Sequence, residues 1–596
     1  MATRRSNHTT RIAVIFGLAI ACLGLPQSAQ AAEYYVAATG NDSTGTGTVS
    51  NPWRTISRVQ SVLSPGDTVY CSGDFGVLDF TGYKCGTDGH WITYQAWPSM
   101  TVPTLTSLAF ERAPLDYRIK FVGFTFDPGY VAESVSAVYL YGASYLIFET
   151  CHFEGAKNNA AYLAGKPYAP YSFENNTVIY TRGGDVFPTH ITIRNSHLMY
   201  GCSVISPYGA CHDWVIEGNE IEEFSDNGIQ IRDGAYDVLI QRNNIHDGNC
   251  YKNVYSWPGT SIVSDWATHK GATVKSKKRM EDGSEVEVTG IFHNYSDGRM
   301  SVYIDNPATI PDRGSTYAWT LDGATFFTPS SGGDNDHSDG VSIEGTSHDI
   351  DVYRNTIHRI TGQGIKVGED GGASTNIRIC SNLIYDTGAY SAYFETGEIY
   401  FYNNTVDNSL GMRLFLAANM TMFNNLIANG ITAANQTVSG SYNTWGSTPD
   451  PAYLAGTDNL VLSAANFTAL FSDRAAGVYT LGNPGTAGAP HNSILPVKIQ
   501  NSYFNQDFLG VSWNNPPSRG AYEYAPSPLL AFTLVGTNSV VVSWQSSSTN
   551  FVLQQNQDLT TTNWSNFNGT VGDNNIIKSV TNNLSAGHMF FRLVSR

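Results

Sequence analysis

The sequence predicts an all-β chain wound as a parallel β-helix, a solenoid of stacked coils, and three observations predict it. First, residues 338–367 form one complete structural unit. A short strand Gly340-Val341-Ser342-Ile343-Glu344 is followed by a second, Ile350-Asp351-Val352-Tyr353. Asn355-Thr356-Ile357-His358 makes a corner, and the unit restarts at Gly364-Ile365-Lys366-Val367. The alternation has the period of two that marks strands with one buried face. Second, the same unit stands upstream at Asn227-Gly228-Ile229-Gln230-Ile231-Arg232, Val238-Leu239-Ile240 and Asn243-Asn244-Ile245-His246. In both copies the glycine lies 15 residues before the corner asparagine, 228 to 243 and 340 to 355. Third, aligned corners fall at Phe124, Cys151, Asn176, Ser196, Asn219, Asn243, Asn355, Asn382, Asn404 and Asn425. Apart from one gap they step by 20 to 27 residues, about one three-strand coil per step.

From the start of the chain, Met1-Ala2-Thr3-Arg4-Arg5, an apolar run from Ile12 to Leu25 and Ala29-Gln30-Ala31 read as a secretory signal cut after Ala31. The mature chain is then expected outside the cytoplasm with no transmembrane segment. Residues 32–524 are expected to form the β-helix domain. Ile56, Val59, Val62 and Leu63 recur at helical spacing within 51–64, and Pro65-Gly66-Asp67 stops the pattern, so a short helix should cap the open end of the solenoid. The corner asparagines follow. Asn tolerates a left-handed corner, and stacked amides about 4.8 Å apart can bond from coil to coil, which makes these residues scaffold. The gap from Asn243 to Asn355 holds an insertion, about 249–336, with Trp257, Trp266, Trp319 and a basic cluster, Lys270, Lys275, Lys277, Lys278 and Arg279. Two readings stand side by side: a wall beside a groove with aromatic sugar platforms, and a small β subdomain packed on its own tryptophans. After Asn425 the repeat fades. Pro526-Ser527-Pro528 reads as a linker, and 525–596 as a small β-sandwich-like module whose sequence leaves glycan binding, attachment to a cell surface and sorting equally open.

Charge narrows the partners. The whole chain carries a formal −17, and the leader holds Arg4, Arg5 and Arg11 but no acid, so the mature chain carries −20. Such a balance argues against nucleic acid, and an acidic polymer would need a basic cleft or a bridging cation. Cys71 with Cys85, and Cys202 with Cys211, are close enough in sequence to be candidate disulfides, and no spacing suggests zinc.

The opening segment 33–75 resembles the N-terminal cap of secreted bacterial β-helix proteins of the pectate-lyase-like superfamily. Arg519-Gly520-Ala521-Tyr522-Glu523-Tyr524 resembles the segment that closes them. The resemblance implies a right-handed, single-stranded parallel β-helix and polysaccharide lyase or glycoside hydrolase chemistry. His337-Ser338-Asp339-Gly340-Val341-Ser342-Ile343, with Thr361-Gly362-Gln363-Gly364-Ile365-Lys366-Val367 one coil later, is similar to the polygalacturonase pattern. It sets Asp339 on that family's first catalytic aspartate and replaces the paired aspartates by Gln363 and Gly364. Laid over the calcium-dependent chondroitin and alginate lyases, Glu344 falls near the lysine position.

The alternation also assembles a candidate site. Outward on successive coils stand Gln230 and Arg232, Ser342 and Glu344, and Lys366, with Asp339 and Gln363 at the turns before the strands. Asp336, His337, Glu369 and Asp370 crowd the same edge, and Trp257 is a candidate sugar platform. The expected chemistry is β-elimination on an extracellular, uronate-containing polysaccharide. Lys366 would be the base, Arg232 the clamp on the substrate carboxylate, and Glu344 with Asp339 or Asp370 the calcium ligands, with Glu369 beside them. One alternative is glycoside hydrolysis, with Asp339 paired to Asp336 or to a residue of the next coil. Another is a non-catalytic glycan-binding or surface adhesion protein.

Overall fold

The structure, a computed structural model, describes residues 31–595 apart from 112–115, 132–134, 156, 159–176, 183–185, 225, 249–251, 256–271, 280–284, 297–298, 305–318, 322–323, 328–337, 361, 369–371, 389, 408, 410, 434–436, 450–455, 457, 482–505, 514–517, 524–529, 536–538, 546–550, 559, 562, 574–576 and 584–588. The secretory leader therefore lies outside the described residues. Among them, no helix is long and apolar enough to cross a membrane.

Strands of each coil pair in parallel with the equivalent strands of the coils before and after, and three ladders result. Face A contains Ser203–Ser206, Asn227–Ile231, Asp339–Ile343 and Ile365–Val367. Face B contains Thr189–Arg194, His212–Glu217, Tyr236–Gln241, His348–Tyr353 and Thr375–Cys380. Face C contains His197–Met199, Glu220–Glu222, Asn244–Gly248, Thr356–Ile360 and Leu383–Thr387. Two long strands, Ala392–Tyr402 and Met412–Phe423, turn the corner from A to B and fuse those ladders into one 22-stranded sheet. Face C remains a separate sheet of 12 strands. Inward residues stack in files: Ile229 on Val341 on Ile365, and Ile231 on Ile343 on Val367, all with no solvent exposure. The glycine of each unit has a steric cause. A Cβ on Gly340 would sit 2.6 Å from the Gly364 carbonyl oxygen and 2.5 Å from Ile357 Cγ2, and one on Gly228 would sit 2.7 Å from the Gly340 oxygen.

The corner between faces B and C is a ladder of buried asparagines. Asn243 donates its backbone N–H (3.0 Å) and its Nδ2–H (3.0 Å) to Asn355 Oδ1, and the same amide donates back to the Ile216 carbonyl at 2.9 Å. Asn355 repeats the pattern onto Asn382 and the Ile240 carbonyl, and Asn382 onto Asn404 and the Val352 carbonyl. Three features differ from the sequence expectation. The left-handed residue is the one before each asparagine, Arg242, Arg354, Ser381, Asn403 and Asn424, because the asparagine itself must aim its amide along the stack. The repeat does not end at Asn425, since Asn425 bonds Asn443 and Asn443 bonds Asn459. And Asn176 lies outside the described residues, while Cys151 and Ser196 meet directly: the Cys151 N–H donates to Ser196 Oγ, and His152 pairs with His197.

The segments around the solenoid also have local causes. The cap is a single helical turn, Ile56–Val59, started by Thr55 Oγ1 accepting the Arg58 N–H at 3.2 Å. Ile56, Val59 and Leu63 are buried as expected, but Val62 is exposed. The described strands of the insertion form an antiparallel six-stranded sheet of their own, in which Lys275 pairs with Glu287 and Lys277 with Glu285 across strands. Trp319 opens one of these strands, while Trp257 lies outside the described residues. Arg519 anchors the closing segment by donating to Thr444 Oγ1 at 3.0 Å, and the Ala521 N–H donates to Thr405 Oγ1. Residues beyond 530 build two antiparallel sheets of four and three strands around Val542, Trp544, Leu553 and Val580. Cys71, Cys85 and Cys211 are thiols, so neither candidate disulfide forms. Cys71 faces the core of the coil, where burial pushes its thiol far up.

Face C bridges the insertion. His246 stacks on His358 at 5.0 Å, and His358 on Tyr385 at 4.9 Å. Arg359 donates to Asp247 Oδ1 at 2.6 Å, and His246 meets Glu220 at 2.5 Å. Coils 112 residues apart in sequence are thus joined side chain to side chain. Burial drives the His358 imidazole down to about 3, with His246 and Arg359 adding to the effect, and Asp247 is held at about 2 because the bonds from His246 and Arg359 outweigh its burial.

Two predictions follow from these contacts. Asn355→Ala leaves the Asn243 donors and the Ile240 carbonyl unmet in a dry corner, at about 1–3 kcal/mol each. Chemical denaturation should show a loss of about 3 kcal/mol or more. Unfolded His358 takes a proton near its ordinary 6.5, whereas folded His358 does so only near 3, so folding loses stability as pH falls through that window. His358→Phe keeps a ring in the stack and should flatten the fall in melting temperature between neutral pH and about pH 4, read by thermal scans across pH.

Candidate functional site

The register places Gln230, Ser342 and Lys366 in one outward column of face A, and the next rung continues it with Tyr393. Ser342 Oγ donates to Glu344 Oε1 at 2.6 Å, Gln230 Nε2 lies 3.2 Å from both Glu344 oxygens, and Arg232 Nε is 3.8 Å from Oε2. Four of the expected residues are therefore together: Gln230, Arg232, Glu344 and Lys366. Yet Glu344 is only 4 % exposed, and its oxygens face protein donors. Asp339 stands apart from this strip. It shares the inward parity of Val341 and Ile343, is buried, and its Oδ1 accepts the Gln363 N–H at 2.8 Å, so it ties two coils together at the turn. Asp336, His337, Trp257, Glu369 and Asp370 lie outside the described residues.

A second arrangement, on face B, went unread in the sequence. Each of these face-B strands has one left-handed residue near its start: Tyr145, His190, Asp213, Asp237, Asp349 and Asn376. The pairing skips these residues on both partners with no change of register, so they form a column of their own. Each lies six residues before its corner residue, 213 before 219, 237 before 243 and 349 before 355. That fixed offset, with the His-Asp, Tyr-Asp and His-Asp pairs at 212–213, 236–237 and 348–349, was the signal available in the sequence. Rings run alongside: Tyr145 stacks on His190 at 4.2 Å, His212 on Tyr236 at 4.7 Å, and Tyr236 on His348 at 5.0 Å.

The column borders a groove of about 520 Å³. Its floor is the outward file Ile147, Thr192, Val215 and Leu239, which ends at the Asp351–Arg378 pair. Asp213, Asp237 and Asp349 project from successive rungs along one side. Rungs of a sheet stand about 4.8 Å apart, so three carboxylates at that interval compete for charge. The structure resolves the competition unequally. Burial raises the Asp237 carboxyl, and the charges of Asp349 and Asp213 raise it further. Burial also raises Asp349, but bonds from His348 Nδ1 (2.7 Å) and from Asn376 Nδ2, with Arg378 nearby, outweigh it and hold the group below its ordinary value. Two neighbouring carboxyls are thus pushed in opposite directions, the pattern that separates an acid role from a base or nucleophile role.

Among the described residues, the ligand atoms of Glu222, His246 and Asp247 come within 4.8 Å of one another, close enough to hold a metal. The Arg359 guanidinium already lies against both Asp247 and His246, at 2.6 and 3.2 Å, and supplies a positive charge there.

Comparison with known proteins bears on the winding. A family profile described as "Right handed beta helix region" matches residues 136–288. The fold is a right-handed parallel β-helix. The chain is similar to the solved complex of XylC with xylose at 12% identity, covering 83% of this chain and 98% of that one with a TM-score of 0.43. It is similar to pectate lyase Pel9A at 10% identity, 83% and 96% coverage and a TM-score of 0.33. It is also similar to a lacto-N-biosidase from Eubacterium ramulus at 11% identity, 72% and 68% coverage and a TM-score of 0.35. No curated protein matches the sequence. One fold carries many chemistries.

Proposed function

We propose that the protein is a carbohydrate-active enzyme that hydrolyses glycosidic bonds of an extracellular polysaccharide in the face-B groove. The observation that carries the proposal is the opposed pair Asp237 and Asp349 on adjacent rungs. Adjacent rungs lie about 4.8 Å apart, close to the roughly 5–5.5 Å between the carboxyls of a retaining glycosidase. Asp237, the raised carboxyl, gives its proton to the leaving glycosidic oxygen. Asp349, kept ionised, attacks the anomeric carbon and forms a glycosyl ester as the old bond breaks. The Asp237 carboxylate then takes a proton from water, whose oxygen displaces Asp349 and restores both groups. Extracellular placement rests on the leader-like first 31 residues.

Elimination by Lys366 and Arg232 is the second reading, favoured by their shared strip on face A. One feature weighs against it: Arg232 already faces the buried Glu344 carboxylate.

A panel of purified neutral and uronate-bearing polysaccharides should yield saturated sugars with new reducing ends and no ultraviolet-absorbing products. Asp237→Asn and Asp349→Asn should each lower kcat/KM by about 100-fold or more. Activity should be highest in acidic solution. It should fall as pH drops through the lowered Asp349 value, because the nucleophile gains a proton, and again as pH rises through the raised Asp237 value, because the acid loses one. Unsaturated products that vanish in Lys366→Ala but persist in Asp349→Asn would move the chemistry to face A. Binding without product would make the protein an adhesin.

A further inference from the structure

The groove is acidic along one side, and its cation is cancelled. Arg378 is the cationic residue among those lining it. Its Nε lies 2.5 Å from Asp351 Oδ1 and its Nη2 lies 2.9 Å from Oδ2, a two-pronged pair that occupies both carboxylate oxygens. Asp351 stands outward on the floor, on the rung next to Leu239, and Arg378 stands on the rung beyond. Beyond the opposite end of the same file stands Lys120, and it shares the Glu149 carboxylate with Arg194 of the neighbouring file. The remaining charged groups on the groove are Asp213, Asp237 and Asp349. His190 approaches Asp213 at 3.5 Å, and His348 bonds Asp349 at 2.7 Å.

A uronate needs a cation held ready for its carboxylate, and a guanidinium grips one with two parallel bonds. Here that grip is spent inside the protein. A neutral sugar makes no such demand, and the apolar floor of Ile147, Val215 and Leu239 suits the carbon face of a sugar ring. We infer that Asp351 sets the substrate class of the groove: by holding Arg378 it restricts the groove to glycans without carboxylates. The inference rests on the groove being the glycan site and goes further by naming the residue that decides what enters.

Binding separates the inference from the catalytic proposal. In an Asp349→Asn background, which holds substrate without turnover, affinity is measured for a panel of neutral oligosaccharides and for oligogalacturonate of equal length. The protein should bind a neutral member and bind oligogalacturonate at least about tenfold more weakly. Adding Asp351→Asn frees Arg378 and should tighten oligogalacturonate by about tenfold or more, the worth of one charge-assisted bond, with the gain lost in added salt. A further Arg378→Gln should abolish the gain, which a general loosening of the coil would not do. Thermal scans of each variant confirm that it is folded. Oligogalacturonate bound equally well before and after Asp351→Asn, or a gain that survives Arg378→Gln, overturns the inference while leaving hydrolysis standing. Neutral glycans bound as inferred but never cleaved by the native protein would sink the hydrolase reading and leave the specificity intact.

Discussion

The buried asparagine corner is the constraint from which the rest of this molecule follows. Each asparagine bonds the coil behind it through a carbonyl and the coil ahead through a second asparagine. A coil shifted by one residue would leave these groups unmet in a dry corner and turn the inward isoleucines outward. Register is therefore set at one point per coil, and everything at a fixed offset from that point is set with it. The left-handed residue six positions upstream inherits this precision. That is how Asp213, Asp237 and Asp349, up to 136 residues apart in sequence, come to stand in one file.

Such a file has an electrostatic cost. Two full charges about 5 Å apart repel by roughly 1 kcal/mol even in a water-like dielectric. The protein offsets it unevenly along the file. Histidines stand beside Asp213 and Asp349, whereas Asp237 has Tyr236 as its neighbour in the equivalent place. A tyrosine adds no positive charge near neutral pH, and Asp237 is the carboxyl of the file that burial and its acidic neighbours raise. The same reasoning links fold to specificity, because the charge left uncancelled on the groove is negative and Arg378 is committed to Asp351.

Much of the winding was legible in the sequence. The glycine at 228 and 340, the inward pairs Ile229 with Ile231 and Val341 with Ile343, and the amide stack from Asn219 to Asn425 all stand where the pattern puts them. Length misled between Cys151 and Ser196, because a 45-residue step divides evenly into two coils on paper, whereas these two corner residues bond each other directly. Asn443 and Asn459 were missed because the last coils shorten to 18 and 16 residues. The site was harder to read. Simple alternation located Arg232, Glu344 and Lys366 correctly in the register but said nothing of burial, and Glu344 proved to be covered. Asp339 was placed by its neighbourhood at a turn, while its parity turns it inward. The face-B carboxylates escaped because a left-handed residue in each strand breaks the period of two on which the outward positions were counted.

The central claim is that stacking of rungs sets the Asp237 and Asp349 carboxyls at odds, and carbon-13 NMR titration of labelled aspartates tests it most directly, with the two signals assigned from their loss in the matching asparagine variants. The account predicts that Asp237 titrates above its ordinary 3.8, that Asp349 titrates below it, and that Asp237 moves down once the Asp349 charge is removed. Two carboxyls titrating together near the ordinary value, each indifferent to the other, would contradict it.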